Sequence, residues 1–271
     1  MTKLDSLKEA LAKMGNTAVA FSGGVDSSFL LNAAHDVLGK RACAVTARSC
    51  VSTQRELSEA DSFCRDRGIT HFTVNVDLWK VNGFASNPPD RCYHCKMRLL
   101  SVLKETAVEK GFSHLSEGSN KDDDGDVRPG FAAVCELGVF SPLRDAGLTK
   151  AEIRVLSEEM GLPTWDKPAL ACLASRVPYG ETITESKLRM VEQAEESLRA
   201  LGIRQLRVRC HHGDVGRIET NGEGFAITAA NREEVHQRLK EAGFRYVSLD
   251  LQGYRMGSLN EEGSACVESK Q

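Results

Sequence analysis

The sequence has few aromatic residues and no long apolar run. Phe, Trp and Tyr make up 6% of the 271 residues, and no stretch approaches the roughly 18 consecutive apolar residues that a membrane helix needs. The first residues lead into an amphipathic helix and lack the apolar core of a secretory signal. We therefore expect a cytoplasmic protein that has no membrane partner.

Neither sign of charge predominates. The chain has 35 Lys and Arg residues against 38 Asp and Glu residues, for a net charge of −3. An extensive nucleic-acid surface normally makes a domain basic, so no such surface is expected here. Nine cysteines without a secretory signal do not suggest a disulfide framework. In a reducing compartment they are core residues, metal ligands or catalytic thiols.

Two familiar phosphate-binding motifs are also missing. The chain has neither Gly-x-x-x-x-Gly-Lys-Ser/Thr nor Gly-x-Gly-x-x-Gly. Instead, residues 17–28 place a short apolar run before Ser22-Gly23-Gly24-Val25-Asp26-Ser27-Ser28, after which apolar residues recur at helical spacing. Glycines let the backbone approach an anion, and a helix N-terminus attracts one. The stretch predicts a strand, a phosphate-binding loop and a helix; a glycine turn without a ligand is the alternative.

Strand and helix patterns alternate through the first two thirds of the chain. This alternation predicts an α/β fold with a parallel, doubly wound sheet. Thr53-x-x-Glu56 is a capping box that opens one of the helices. The predicted strands lie at 18–21, 42–46, 71–76, 114–116 and 139–143.

Prolines and glycines are dense in residues 162–180, which predicts a domain boundary at residue 180. Residues 1–180 then form the first domain and residues 181–258 a smaller α/β domain for substrate binding or oligomerisation. Its predicted elements are helices at 184–201 and 231–242 and strands near 204–210, 214–219, 224–228 and 245–250. The polar segment 259–271 is expected to be a disordered tail.

The order of several motifs points to one family. The phosphate loop is followed by Cys92-x-x-Cys95-Lys96, Glu117-Gly118-Ser119-Asn120, Ser141-Pro142-Leu143-Arg144, Gly161-Leu162-Pro163 and Ala171-Cys172-Leu173-Ala174-Ser175-Arg176. The loop resembles the PP-loop of ATP pyrophosphatases, and the whole set, over about residues 10–250, resembles the LarE sulfur transferases of nickel-pincer nucleotide synthesis. That family adenylates pyridinium-3,5-biscarboxylic acid mononucleotide and converts its two carboxylates to thiocarboxylates.

The resemblance implies ATP, Mg²⁺ and a sulfide donor. The candidates for binding pyrophosphate are Ser22, Gly23, Gly24, Asp26, Ser27 and Ser28, with Asp26 also a candidate magnesium ligand and catalytic residue. Glu117, Ser119 and Asn120 follow a predicted strand, so we expect them at the same sheet edge as the loop. A plain polar turn is the alternative for these three. The acidic residues 122–126 are interpreted as a solvated loop.

The resemblance implies two possible sulfur sources. Some LarE members sacrifice the sulfur of the cysteine in the Ala-Cys-Leu-Ala-Ser-Arg segment, which is Cys172 here. Others use three cysteines, which correspond to Cys92, Cys95 and Cys172, to hold a [4Fe–4S] cluster whose open iron carries hydrosulfide. Three thiolates suit such a cluster better than structural zinc, which is normally bound by four protein ligands. A Cys92–Cys95 redox dithiol, a Cys172 persulfide and simple buried thiols remain alternatives. The other cysteines lack ligand spacing: Cys43, Cys50, Cys64, Cys135, Cys210 and Cys266.

Arginines alternate with apolar residues in the stretch 206–211. Arg207, Arg209 and His211 would share one face of a strand, and guanidinium groups two residues apart can bind one phosphate. The resemblance implies that this face binds the substrate phosphate, with Arg176 as a further binding and catalytic residue and Arg217 as an additional candidate. A solvated outer strand face is the alternative.

Three other functions fit the motifs less well. A tRNA-thiolating PP-loop enzyme would need a basic surface, and an ammonia-dependent ligase would not need the ordered cysteines. A protein that only binds a nucleotide or carries an iron–sulfur cluster is the third alternative. It is disfavoured because a PP-loop of the kind that acts at the α-phosphate, together with a sulfur site, implies catalytic turnover. Because LarE relatives assemble as hexamers, we expect a homo-oligomer.

Overall fold

The computed structural model describes residues 2–125, 129–168 and 171–255. The tail predicted at 259–271, with Cys266, and Asp126 of the acidic turn lie outside these residues. The α-helices are α1 Lys3–Met14, α2 Val25–Leu38, α3 Gln54–Asp66, α4 Arg91–Glu109, α5 Pro129–Glu136, α6 Pro142–Asp145, α7 Lys150–Glu159, α8 Glu185–Arg199, α9 Gly222–Ala230 and α10 Arg232–Ala242. The strands are β1 Thr17–Ala20, β2 Ala42–Arg48, β3 Thr70–Asn75, β4 Leu115–Ser116, β5 Leu206–His211, β6 Val215–Thr220 and β7 Tyr246–Leu249.

The chain divides into two compact units. Among the described residues, the first unit comprises 2–81, 92–125 and 129–168, and the second comprises 82–91 and 171–255. No helix in either described part is long and apolar enough to cross a membrane.

The first unit contains a four-stranded sheet in the order β3-β2-β1-β4. All three strand pairs are parallel, as the alternation of helices and strands predicts. Strand β2, which follows β1 in the sequence, lies on one side of β1, and β4 lies on its other side. Ligands of open parallel sheets bind outside the carboxyl ends of strands at such a reversal of strand order. The loop after β1 and the turn after β4 both begin at this edge.

Apolar side chains cover both faces of this sheet. Val19 and Ala44 belong to a cluster with residues of α1, α2, α3 and α7. Ala18 and Val45 belong to a second cluster with residues of α4 and α5. Because neighbouring strand residues point to opposite faces, the two clusters lie on opposite sides of the sheet. The helices therefore cover both faces of the sheet and hold β1 in place, which fixes the position of the glycine loop that follows it.

Capping boxes begin three helices of the first unit. The Thr53 hydroxyl accepts a hydrogen bond from Glu56 N, and the Glu56 carboxylate accepts one from Thr53 N, which confirms the predicted helix start. Thr2 and Thr149 begin α1 and α7 in the same way. Such caps satisfy backbone N–H groups that the first turn leaves without partners.

The second unit has a three-stranded sheet in the order β5-β6-β7. Strands β5 and β6 pair antiparallel, whereas β6 and β7 pair parallel. Helices α8 and α10 supply its apolar core, with Leu198 and Leu239 fully buried.

The segment just before residue 180 is bonded to the second unit. The Asn87 amide donates to the carbonyls of Val177 and Pro178 at 3.2 and 2.6 Å, and Gly180 N donates to Asn87 O at 2.9 Å. Residues 82–91 and 171–180 therefore belong with the later part of the chain. Residue 180, where the sequence predicts a boundary, lies within this unit. The density of prolines and glycines does not indicate the bonds that Asn87 makes with Val177, Pro178 and Gly180.

Two predicted strands differ in the structure. Residues 224–228 lie in α9, which begins where the Asn221 side chain accepts a hydrogen bond from Gly224 N at 3.0 Å. The periodicity of a short apolar run fits a strand as well as a helix. Here the Asn221 cap favours the helix. Around Phe140 only a single parallel bridge to Ser116 forms. Pro142 has no N–H group to donate to a neighbouring strand, so it cannot continue the ladder. It lies in the first turn of α6, where no such donor is needed.

Candidate functional site

The glycine loop joins β1 to α2, as the sequence predicts. Gly23 has φ +69°, a left-handed conformation that glycine adopts without strain. Gly24 is the N-cap of α2, and no side chain provides the capping hydrogen bond. The first turn therefore offers backbone N–H groups and the positive end of the helix dipole, which together suit an anion.

Serines line the loop and the first turn. The hydroxyl oxygens of Ser22 and Ser27 lie 3.1 Å apart, and Ser27 donates to Gly24 O at 3.2 Å. Ser22 is exposed, whereas Ser28 is fully buried. The Ser28 hydroxyl has no hydrogen-bond partner in the described parts of the chain. The structure thus brings Ser22 and Ser27 together at the loop and places Ser28 beneath it.

Gly118 lies against the start of α2. A Cβ at this position would lie 3.0 Å from Ser27 N and 3.3 Å from the Asp26 carbonyl carbon. Both atoms are backbone and cannot move without displacing the helix. Gly118 therefore allows the turn after β4 to approach the glycine loop.

Replacement of Gly118 by alanine is expected to push the first turn of α2 away. We expect the free energy of unfolding to fall by about 1–3 kcal/mol, the usual cost of overpacking. The midpoint of urea unfolding measures this effect. Gly222→Ala is the control, because a Cβ there meets nothing within 4 Å. Equal behaviour of the two variants would contradict this interpretation of Gly118.

Glu117 is a buried carboxylate with several partners. It accepts hydrogen bonds from Ser141 Oγ at 2.6 Å, Ser119 Oγ at 2.9 Å and Ser119 N at 3.1 Å. Lys96 Nζ lies 3.4 Å from its second oxygen. Glu117 thus holds the turn after β4 to neighbouring segments, and Ser119 is one of its bonding partners.

Asp26 is half-buried in the first turn of α2, where it is bonded on both oxygens. Lys150 Nζ at the start of α7 pairs with one oxygen, and Asn120 Nδ2 lies 3.3 Å from the other. Asn120 is itself held by Asp123, whose carboxylate accepts from Asn120 N at 2.9 Å. The structure thus joins Asp26 and Asn120, as expected for one sheet edge. Lys150 was missed, because nothing in its local sequence indicates a partner 124 residues away.

Two of the three candidate sulfur-site cysteines lie in the first unit. Cys92 and Cys95 are partly buried in the first two turns of α4, and their spacing of three places them on one helix face. Cys172 lies in the second unit, is exposed, and is the N-cap of the 3-10 helix Leu173–Arg176. Across the described ranges, no group of three or more His, Cys, Asp or Glu side chains is arranged to hold a metal ion.

Three of the other cysteines are buried: Cys43, Cys64 and Cys210. Burial raises the pKa of Cys43 and Cys64 to about 12 and that of Cys210 to about 11. These thiols are protonated at neutral pH and suit a core role. Cys50 is partly buried and Cys135 is exposed.

Arg176 is buried in an ion-pair network of the second unit. Its Nε and Nη2 atoms lie 2.8 and 3.0 Å from the two carboxylate oxygens of Glu195. Glu195 also accepts from Arg199 Nη2 at 2.9 Å and Val208 N at 3.0 Å. Burial by itself would raise the pKa of Glu195, but the charges of Arg176 and Arg199 lower it to about 2. The pairing fixes the plane of the Arg176 guanidinium group.

The arginines of β5 are buried as well. Arg207 and Arg209 are 4% and 6% exposed, so the alternative of a solvated strand face is wrong. Arg209 donates to Glu219 and to Ser175 O at 2.8 Å. Burial, and next the charge of Arg176, lowers the pKa of Arg207 to about 10. A buried cation that lies near other cations is stabilised by an anion.

Glu219 forms ion pairs with two arginines of this network. It lies 2.8 Å from Arg209 Nη2 and 3.0 Å from Arg217 Nη2, and it is fully buried. Arg217 also pairs with Asp250 at 3.2 Å. Sequence reasoning named the arginines and missed Glu195 and Glu219, although Glu219 lies on a predicted strand and a buried glutamate there requires a cation.

The parallel sheet and its uncapped glycine loop define an α/β protein with a candidate phosphate-binding site. No protein-family model matches the chain. An uncharacterised protein of Synechocystis is 40% identical over 96% of this chain and 97% of its own length. The pyridinium-3,5-bisthiocarboxylic acid mononucleotide synthase of Lactiplantibacillus plantarum is 37% identical over 96% of this chain and 94% of its own length. The chain belongs to the family of this synthase, the LarE family.

A more distant likeness covers part of the chain. One of the subunits of the glutamine-hydrolysing GMP synthase of Thermoplasma volcanium is 27% identical over 57% of this chain and 54% of its own length. That likeness suggests that the chain belongs to the broader PP-loop superfamily.

Proposed function

We propose that this chain is an ATP-dependent sulfur transferase that adenylates the carboxylates of pyridinium-3,5-biscarboxylic acid mononucleotide and converts each to a thiocarboxylate. The observation that carries the proposal is the 37% identity, over nearly the whole chain, to a synthase named for the bisthiocarboxylic product. We also propose that the first unit has the doubly wound PP-loop fold, which its parallel sheet, glycine loop and GMP synthase likeness support.

Adenylation overcomes a chemical barrier of the substrate. A carboxylate resists a sulfur nucleophile, because its leaving group would be oxide. In the proposed first step a carboxylate oxygen attacks the α-phosphorus of ATP, the bond to the β-phosphate oxygen breaks, and pyrophosphate leaves. The product is an acyl adenylate whose leaving group is AMP.

The glycine loop supplies the groups for this step. Ser22, Ser27 and the N–H groups at the start of α2 would bind the pyrophosphate, and Gly23 and Gly24 leave room for its approach. Asp26 would hold Mg²⁺ together with phosphate oxygens, since Mg²⁺ is usually bound by one or two carboxylates plus substrate phosphates. Glu117, Ser119 and Asn120 would shape the adjoining turn.

In the proposed second step a sulfur nucleophile attacks the acyl carbon and the carbon–oxygen bond to AMP breaks. Cys172 is exposed, and its carbonyl oxygen accepts hydrogen bonds from Ser175 N and Arg176 Nη1. These bonds hold the backbone and do not involve the thiol.

We propose that Cys92, Cys95 and Cys172 hold a [4Fe–4S] cluster in the mature enzyme. Cys92 and Cys95 share a helix face and Cys172 is exposed, and cysteine thiolates are the usual ligands of such clusters. When bound, such a cluster would supply sulfide for the thiocarboxylate. The other proposed source is the sulfur of Cys172 itself: its thiolate attacks the acyl carbon and AMP leaves, and β-elimination then breaks the Cβ–Sγ bond, which releases the thiocarboxylate and leaves dehydroalanine at position 172.

Arg176, Arg207 and Arg209 are proposed to bind the substrate phosphate. Guanidinium groups donate in a planar fork that matches phosphate oxygens. Their carboxylate partners fix Arg176 and Arg209 before substrate arrives, which lowers the ordering cost of binding. We further propose a cytoplasmic homo-oligomer, a hexamer by family resemblance, that receives sulfide from a separate donor.

Replacement of Asp26 by asparagine is expected to abolish adenylation. The change removes the negative charge that faces Lys150 and would hold Mg²⁺, so substrate-dependent exchange of labelled pyrophosphate into ATP should fall by about 10²-fold or more. Asp36→Asn, an exposed change in the same helix, is the control.

The same assay separates the proposal from its competitors. We expect exchange to require the pyridinium nucleotide and to be unaffected by tRNA. An ammonia-dependent ligase would give an amide when ammonia replaces sulfide. Exchange that persists in Asp26→Asn, or that needs no pyridinium nucleotide, would contradict the proposal.

A further inference from the structure

Lys167 reaches the backbone of the glycine loop. Its Nζ donates to Gly23 O at 2.8 Å and to the Glu59 carboxylate at 2.6 Å. Its side chain is 15% exposed, so the ammonium group is held between these two acceptors. The sequence gives no motif for this lysine, which is followed by a proline.

Bonding at Gly23 O fixes the direction of a neighbouring N–H group. The peptide between Gly23 and Gly24 is planar and trans, so its carbonyl oxygen and its N–H point in opposite directions. With the oxygen turned to Lys167, the Gly24 N–H faces the other side of the loop. There its contact with Ser22 Oγ is long, at 3.4 Å, which leaves it able to donate to a stronger acceptor.

Glu59 keeps Lys167 in this place. Burial would raise the pKa of Glu59, but hydrogen bonds and charge from Lys167 and Arg55 lower it, so the carboxylate stays ionised. Arg55 Nη1 lies 2.6 Å from the other Glu59 oxygen. Helix α3, which carries both residues, also packs on the loop: a Cβ at Gly23 would lie 3.7 Å from the Ala60 Cβ. The lysine is thus anchored to the element that supports the loop.

We propose that Lys167 is a positioning residue that turns the Gly23–Gly24 peptide so that the Gly24 N–H points at the bound pyrophosphate group. The loop has no Walker lysine, and a rotated peptide would present a carbonyl oxygen to the anion. Lys167 prevents this rotation. The inference rests on the proposed function, because it assigns the oligophosphate to this loop.

The test is calorimetric titration of the full chain with two probes, inorganic pyrophosphate with Mg²⁺ and AMP. Lys167→Met keeps the apolar stem and removes the donor. We expect it to weaken pyrophosphate binding about tenfold, since a hydrogen bond to a charged group contributes at least that much, and to leave AMP binding unchanged. Lys167→Arg restores a donor and should recover most of the affinity. Lys13→Met, which breaks an exposed Lys–Glu pair elsewhere, is the matched control.

A spectroscopic readout separates positioning from direct contact with the anion. In protein labelled with ¹⁵N-glycine and free of anions, the Gly24 amide signal should shift in Lys167→Met and return in Lys167→Arg. An unchanged Gly24 signal before pyrophosphate is added would overturn the positioning role.

The remaining outcomes are also decisive. Equal losses of pyrophosphate and AMP binding in Lys167→Met would indicate general damage and overturn the inference, as would no loss at all. If the unmodified chain binds pyrophosphate and adenylates substrate while Lys167→Met is unaffected, this inference alone fails. If the unmodified chain does not bind pyrophosphate, the proposed function and the inference fail together.

Discussion

Replacement of Cys172 by alanine is expected to leave adenylation intact and to stop sulfur transfer. The hydrogen bonds that shape this segment use the Cys172 carbonyl oxygen, which alanine retains. Loss of the thiol should lower thiocarboxylate formation by about 10³-fold or more, as loss of a nucleophile commonly does. Pyrophosphate exchange should stay within about twofold, because the glycine loop is unchanged.

Cys135→Ala is the control, since Cys135 is exposed and lies outside the cysteine motifs. Iron and acid-labile sulfide analysis of protein purified without oxygen then separates the two sulfur sources. A cluster predicts about four irons per chain, lost in both Cys92→Ala and Cys172→Ala. Repeated turnover by Cys172→Ala would show that sulfur transfer does not use this residue.

Replacement of Glu195 by glutamine is expected to cause a large loss of stability. Glu195 is 1% exposed and pairs with Arg176 and Arg199, so the neutral amide would leave buried guanidinium charge without its counter-charge. Breaking a buried pair in this way typically costs about 3–5 kcal/mol. The measurement is the midpoint of urea unfolding at pH 7.

Glu185→Gln is the matched control on the same helix. The Glu185–Arg189 pair is 74% and 62% exposed, and exposed pairs contribute about 1 kcal/mol or less. A loss in Glu195→Gln no greater than in Glu185→Gln would show that the buried network does not stabilise the second unit.

The same residue predicts a pH dependence. The pKa of Glu195 is lowered from 4.5 to about 2, so its stabilising contribution is present above pH 4.5 and is lost as the pH falls toward 2. Glu195→Gln should remove this part of the acid sensitivity. An unchanged loss of stability between these pH values would contradict the assignment.

Local patterns predicted the parts of the fold that depend on neighbours in sequence. The capping box at Thr53, the strand–loop–helix at residues 17–28 and strand β5 are found where the sequence indicates them. Each depends on bonds or periodicity within a few residues. Where local signals conflict, as at the Asn221 cap before an apolar run, the sequence was misread.

The candidate site also depends on partners that are far apart in sequence. Lys150 pairs with Asp26 across 124 residues, and Lys167 reaches Gly23 across 144. Glu195 pairs with Arg176 within one unit. Its spacing from Leu188 and Val191 places it on the buried face of α8, but that spacing does not indicate which cation it pairs with. Such ion pairs follow from tertiary packing, which brings charges together after the local elements form. The arginines could be named from their spacing, whereas the pairing of each with its carboxylate could not.

The proposed reaction exchanges carboxylate oxygen for sulfur and consumes ATP. Its most direct test is mass spectrometry of a mixture of the enzyme, ATP, Mg²⁺, sulfide and pyridinium-3,5-biscarboxylic acid mononucleotide. We predict thiocarboxylate products that form with AMP and pyrophosphate and that require ATP. Substrate recovered unchanged, with neither AMP nor thiocarboxylate from enzyme loaded with iron and sulfide, would contradict the proposed function.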